Sequence, residues 1–255
     1  MSVEIEKLIE QWPHLKEPFE FYARWQQFQR EADAILPKNR TTLVPAESKS
    51  YPKDSVDSVL DSFATVFNLP KEALEPLAQA MQAGDFDFMR LPLDELPDVS
   101  HELTEGELAK ILFFLSRPWF LRLREICVLE GGAWEDGRCP VCSARPVLSS
   151  IEEGPQRRLH CSWCGSSGTF RFLGCPNCGT ENTTKLTTLT PEGEPGFRVI
   201  ACDACKTYVK VVDSSLLKAM TPDLADLASL PLDIVAQEKG YARQAPNPIG
   251  MKKIP

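Results

Sequence analysis

Apolar side chains recur three and four positions apart through the first half of the chain. They do so in SVEIEKLIEQW, PFEFYARWQQFQREADAIL, SVDSVLDSFATVFNL and KEALEPLAQAMQAG, and each run predicts an amphipathic helix. Gly84 stands where the last of these needs a C-cap. Thr104 followed by Glu107 in TEGELAKILFFL fits a capping box, and Pro118 predicts the start of a further helix, PWFLRLREICVLEGG, closed by Gly131 and Gly132. A helical bundle is the expected product. From Cys139 to Asp213 the period changes to short β-type runs divided by turn residues: PVLSSI, TFRFL, TTKLTTLT, FRVIA and TYVKVV. Helical spacing returns in TPDLADLASLPLDIVAQEKGY, where Thr221 caps a helix with Pro222 in its first turn and Pro231 starts another. The tail from Gln244, QAPNPIGMKKIP, reads as extended and mobile.

The expectation is an α+β fold. An N-terminal helical domain covers residues 1–132, two tandem rubredoxin-like or zinc-ribbon modules cover 133–172 and 173–215, and short C-terminal helices with a tail cover 216–255. Composition changes the picture in two respects. Proline, 21 of 255 residues, exceeds the usual ~5% and indicates many short elements. The net charge of −8 disfavours polyanionic partners, and the metal-module region offers no relief, with nine Lys and Arg against nine Asp and Glu between Gly131 and Asp213. Phe170, Arg171 and Phe172 are the residues of a possible stacking surface for single strands, although aromatic side chains alternating along a strand more often face a core. The opening MSVEIEKLIE lacks the basic start and apolar stretch of a secretory signal, and no apolar run approaches the ~18 residues of a membrane span. Nine cysteines then read as thiols of a reducing, cytoplasmic environment.

Eight of those cysteines form four Cys-x-x-Cys pairs: Cys139/Cys142, Cys161/Cys164, Cys175/Cys178 and Cys202/Cys205. Two residues between ligands let the chain turn so that both sulfurs point inward while backbone N–H groups face them. The inserts between paired knuckles, 18 and 23 residues, are long enough for a strand, a turn and a strand. The half-units repeat 36 positions apart, each opening on a proline-bearing pair. Sequential pairing into two tetrathiolate sites follows, in preference to interleaved or nested pairing. Site 1 would be Cys139, Cys142, Cys161 and Cys164, and site 2 would be Cys175, Cys178, Cys202 and Cys205, with one iron or zinc ion in each. Gly165 and Gly179 follow their pairs where positive φ is needed. Cys127 reads as an inert helical thiol and His160 as a strand-edge polar residue, while His14 and His101 stand apart from any ligand-type grouping. No nucleophile elbow, phosphate loop or dinucleotide fingerprint occurs, so no enzymatic activity is assigned.

The succession GGAWEDGRCPVCSARPVLSSI, RRLHCSWCG, LGCPNCG and RVIACDACKTYVKVVD, followed by LADLASLPLDIVAQEKGYARQAPNP, resembles the formate dehydrogenase accessory protein family, FdhE, over roughly the last half of the chain. The resemblance implies a cytoplasmic, non-catalytic protein with two rubredoxin-like sites on the eight paired cysteines, binding the formate dehydrogenase catalytic subunit during maturation. Ser143, where many relatives have glycine, and GSSGTF after Cys164, where a tryptophan often follows, depart from the family pattern around site 1. From other classes come two alternatives: a redox protein passing electrons through mononuclear iron, and a zinc-ribbon module binding nucleic acid.

Overall fold

The computed structural model describes residues 3–37, 49–84, 86–99, 103–127, 131–152, 154–190 and 196–254, and His101 lies outside them. Among the described residues the opening α-helices are α1 (Val3–Gln11), α2 (Lys16–Ile35), α3 (Lys53–Phe67) and α4 (Glu75–Ala83). On α2 the buried side chains are Phe19, Tyr22, Trp25, Phe28 and Ala32, a three-and-four spacing that lays one apolar stripe against Val56, Val59, Leu60 and Phe63 of α3. Phe28 meets Phe63 edge-on at 5.0 Å between centroids, the geometry in which an aromatic pair adds ~0.5–1.5 kcal/mol beyond burial. Gly84 ends α4 in the left-handed region, as its spacing predicts.

The next helix differs from expectation. Instead of a break at Pro118, α5 (Glu105–Ile126) runs unbroken through it. The Thr104 and Glu107 capping box starts it, and Cys127, already extended, caps its end. A proline inside a helix removes a hydrogen bond and costs about 3 kcal/mol. Here every residue from Leu112 to Phe120 is buried, so burial of apolar area holds the helix together across the defect. Gly131 and Gly132 do not close a helix. They begin β1 (Gly131–Ala133), with residues 128–130 outside the described set.

The strands β1, β2 (Leu148–Ile151), β3 (Arg157–His160), β4 (Ser167–Phe170), β5 (Leu186–Leu189), β6 (Phe197–Cys202) and β7 (Thr207–Asp213) form one sheet in the order β1-β4-β3-β2-β7-β6-β5. Two antiparallel sets, β4-β3-β2 and β7-β6-β5, join at a parallel seam where Leu148 faces Lys210 and Ile151 faces Asp213. The two cysteine-bearing units therefore share a backbone hydrogen-bond ladder. β3 lies inside the sheet, so His160 is not an edge residue. It is buried, and its Nε2 meets Ser150 Oγ at 2.9 Å.

After β7 come α6 (Pro222–Ala228), capped by the Thr221 hydroxyl, and α7 (Leu230–Glu238), with Pro231 in its first turn, both as the sequence predicts. The tail from Gln244 is packed, not free. Ala245 and Asn247 are buried, and Asn247 Oδ1 accepts from the N–H groups of Ile249 and Met251, folding the chain into a turn. Gly250, at φ +77°, lies so close to α5 that a Cβ would come within 2.8 Å of Lys110 and 3.0 Å of Phe114.

Candidate metal centres

Each Cys-x-x-Cys pair is a turn of the same construction. The N–H of the residue after the second cysteine bonds back to the carbonyl of the first: Ser143 to Cys139 (2.8 Å), Gly165 to Cys161 (3.1 Å), Gly179 to Cys175 (2.9 Å) and Lys206 to Cys202 (2.8 Å). All four of these residues have positive φ, between +55° and +75°. Glycine carries that conformation without penalty at Gly165 and Gly179, as expected. Ser143 and Lys206 carry it against the usual preference. The turns aim N–H groups at sulfur, with Asn177 and Cys178 donating to Cys175, and Ala204 and Cys205 donating to Cys202.

The turns gather in sequence order. Among the described residues, Cys139, Cys142, Cys161 and Cys164 form one cluster and Cys175, Cys178, Cys202 and Cys205 the other, with the sulfurs of each lying within 4.8 Å of one another. A tetrahedral ion bound at ~2.3 Å places its sulfurs ~3.8 Å apart. The close contacts are 3.7 Å (Cys175 to Cys205) and 3.8 Å (Cys178 to Cys202) in the second cluster, and 3.5 Å (Cys139 to Cys164) and 3.3 Å (Cys142 to Cys161) in the first. Four soft donors on preformed turns at these spacings fit a tetrahedral thiolate ion, and each cluster can hold one.

The clusters differ in surroundings. All four cysteines of the first are buried, and Trp163, between its last two ligand positions, packs edge-on against Phe113 (4.9 Å) and Phe120 (5.5 Å) of α5. Arg117 and Arg124, both on α5, donate to the carbonyls of Trp163 and Gly165 at 3.4 and 2.9 Å. The buried Arg117 also stacks over Trp25 and pairs with Asp223 at 2.8 Å, linking α2, α5, the second knuckle of the first cluster and α6. In the second cluster Cys178 is exposed and Cys205 half-buried.

As thiols, these groups strain against their setting. Burial pushes Cys142 and Cys161 well above the ordinary thiol range and raises Cys175 to about 12, whereas hydrogen bonds from Cys142, Cys161 and Cys164 hold Cys139 far below it. A bound cation removes the conflict by deprotonating all four, so binding must release protons and weaken in acid. A hydroxyl also attends each site, two residues after its last cysteine. Ser166 Oγ lies 3.0 Å from Cys139 Sγ and 3.1 Å from Cys164 Sγ, and Thr207 Oγ1 lies 3.0 Å from Cys205 Sγ. Sequence reasoning missed this pair, although the matched positions were visible as a repeat.

Also missed was a buried ion network beneath the sheet. Lys210 of β7 bonds Asp226 and Asp233 at 2.6 Å each, Arg243 bridges the same two carboxylates, and Tyr208 donates to Asp233 at 2.5 Å. Burial would raise the Asp226 carboxyl, but Arg243 and Lys210 hold it below its usual value. Cys127, read from sequence as lying within a helix, is half-buried at the end of α5, with its thiol raised by burial. Of the aromatic stacking candidates, Phe172 is exposed. Arg171 is committed to Phe170, over whose ring it lies at 5.1 Å, and to Glu181.

Residues 159–249 match the family model described as FdhE, C-terminal domain. Over that segment the chain is similar to FdhE proteins. An FdhE homolog of Haemophilus influenzae is 34% identical over 113 residues, 43% of this chain and 37% of that protein. One from Aquifex aeolicus is 31% identical over 125 residues, 48% and 44%. The FdhE protein of Escherichia coli is 28% identical over 195 residues, 73% and 58%. The matched stretches thus span about 37% to 58% of these relatives' own lengths. The crystal structure of the FdhE protein from Pseudomonas aeruginosa superposes with a TM-score of 0.64 at 19% identity, covering 96% of this chain and 93% of that one, which shows a shared fold. Lys210 and Asp233, the centre of the buried ion network, fall inside the segment that the FdhE family model matches.

Proposed function

We propose that this chain is an accessory protein for formate dehydrogenase maturation, binding the enzyme's catalytic subunit in the cytoplasm and performing no reaction of its own. The observation that carries this reading is the pairing of two four-cysteine clusters within one sheet in a chain whose C-terminal segment matches the FdhE family model. In this reading one iron or zinc ion occupies each cluster. The cages fix four rigid turns at the sheet's ends, α5 anchors the first, and the second presents its exposed turns to the client. Tagged protein incubated with the formate dehydrogenase catalytic subunit tests it. Capture is expected, and failure of the folded, metal-replete chain to capture that subunit would contradict the proposal.

One observation favours a second reading. Cys178 is exposed, so an iron ion in the second cluster could exchange a single electron with a partner, whereas zinc could not. Anaerobically prepared protein with ferric thiolate absorption would favour this reading, and stoichiometric zinc would exclude it.

A further inference from the structure

Arg157 on β3 is 1% exposed, yet no carboxylate among the described residues pairs with it. Its Nε donates to Ser149 Oγ at 3.3 Å, one terminal nitrogen donates to the carbonyl of Gly174 at 3.0 Å, its guanidinium lies 5.8 Å from the Phe170 ring centre, and the other terminal nitrogen has no hydrogen-bond partner. A buried cation without an anion is costly by several kcal/mol. Burial lowers Arg157 to about 10, and the opposing influence is Cys175. Arg145, half-buried, donates to the carbonyl of Pro176 at 3.1 Å; burial and the nearby Arg138 hold it below the ordinary arginine value, and the charges of Cys175, Cys205 and Asp136 oppose them. The two arginines thus grip the carbonyls on either side of Cys175, the first ligand position of the second cluster. Both come from the cysteine unit that builds the first cluster.

We propose that Arg157 and Arg145 are the counter-charges of the second tetrathiolate site, lent by the first cysteine unit, so that metal retention at one site depends on the integrity of the neighbouring unit. A divalent ion held by four thiolates leaves a net charge of about −2, the anion that a buried guanidinium requires. Losing the ion would leave Arg157 buried without an opposite charge, while losing Arg157 would leave the site's excess charge less compensated. This inference rests on the reading that the second cluster holds a metal.

The test is metal release from the purified full chain to excess chromogenic chelator, with the phase belonging to the second site identified by its loss in Cys178→Ser. In Arg157→Met that phase should accelerate roughly 10- to 100-fold, the usual cost of removing a group that supports a metal ligand. The other phase should be unchanged, and Arg157→Lys, which keeps the charge, should stay close to the parent. Arg145→Met, at a more open position, should accelerate the same phase and serves if Arg157→Met does not fold. Unchanged release in the Met variants, or Lys and Met releasing equally fast, would overturn the proposal. A parent chain purified with one ion or none would overturn the metal reading itself and the proposal with it, a failure visible before any variant is compared.

Discussion

At the scale of single residues, positive φ and buried charge distinguish this chain from its sequence pattern. Ser143 adopts φ +61° at the position where Gly165 and Gly179 carry the same conformation freely. Ser143→Gly should therefore stabilise the fold by about 1 kcal/mol in chemical denaturation, because the Cβ penalty of the left-handed region disappears. Gly165→Ala should do the reverse, since its new Cβ would also press within 3.0 Å of Arg124. That knuckle turns need such a residue was legible from the spacing of the pairs, as were all eight sulfur positions. The Lys210, Asp226, Asp233 and Arg243 network was not. Its members are scattered over three elements and a loop, and singly each resembles an ordinary surface charge. Lys210→Met should cost about 3–5 kcal/mol in denaturant, because it leaves two buried carboxylates facing one arginine. The network also sets an acid limit. Asp226 titrates lower in the folded chain than the ~3.9 of an unfolded aspartate, so its contribution is complete above that value and drains away as pH falls through the folded pKa. Unfolding followed from pH 6 downward should show this loss, and Asp226→Asn should flatten it.

Among the elements, α5 and the tail show where local rules yield to packing. Pro118 announces a helix start by local rules, yet it sits mid-helix, because burial from Leu112 to Phe120 outweighs one missing hydrogen bond. Capping signals at Thr104, Gly84 and Thr221 were readable because each is satisfied by residues only a few positions away. The parallel seam between β2 and β7 escaped sequence reasoning for the opposite reason, because it pairs residues about sixty positions apart. The tail's order likewise depends on partners outside it, through Asn247 and the close approach of Gly250 to α5. Asn247→Ala should release it. Limited proteolysis should then cut after Gln244 in the variant while the parent resists there, and equal resistance in both would show that the turn does not hold the tail.

For the whole molecule, the two cysteine units form one continuous sheet, and their sites differ in exposure, all four sulfurs being buried in the first and Cys178 open in the second. Acidification or chelation should therefore empty the second site before the first, read as two separated steps of metal release. The claim under all of this is that the eight sulfurs act as two separate four-ligand cages. Metal analysis of the folded chain prepared without oxygen tests it most directly. Two tightly held ions per chain are expected, falling to one in Cys178→Ser. A preparation with fewer than two, or a Cys178→Ser variant that keeps both, would contradict the account.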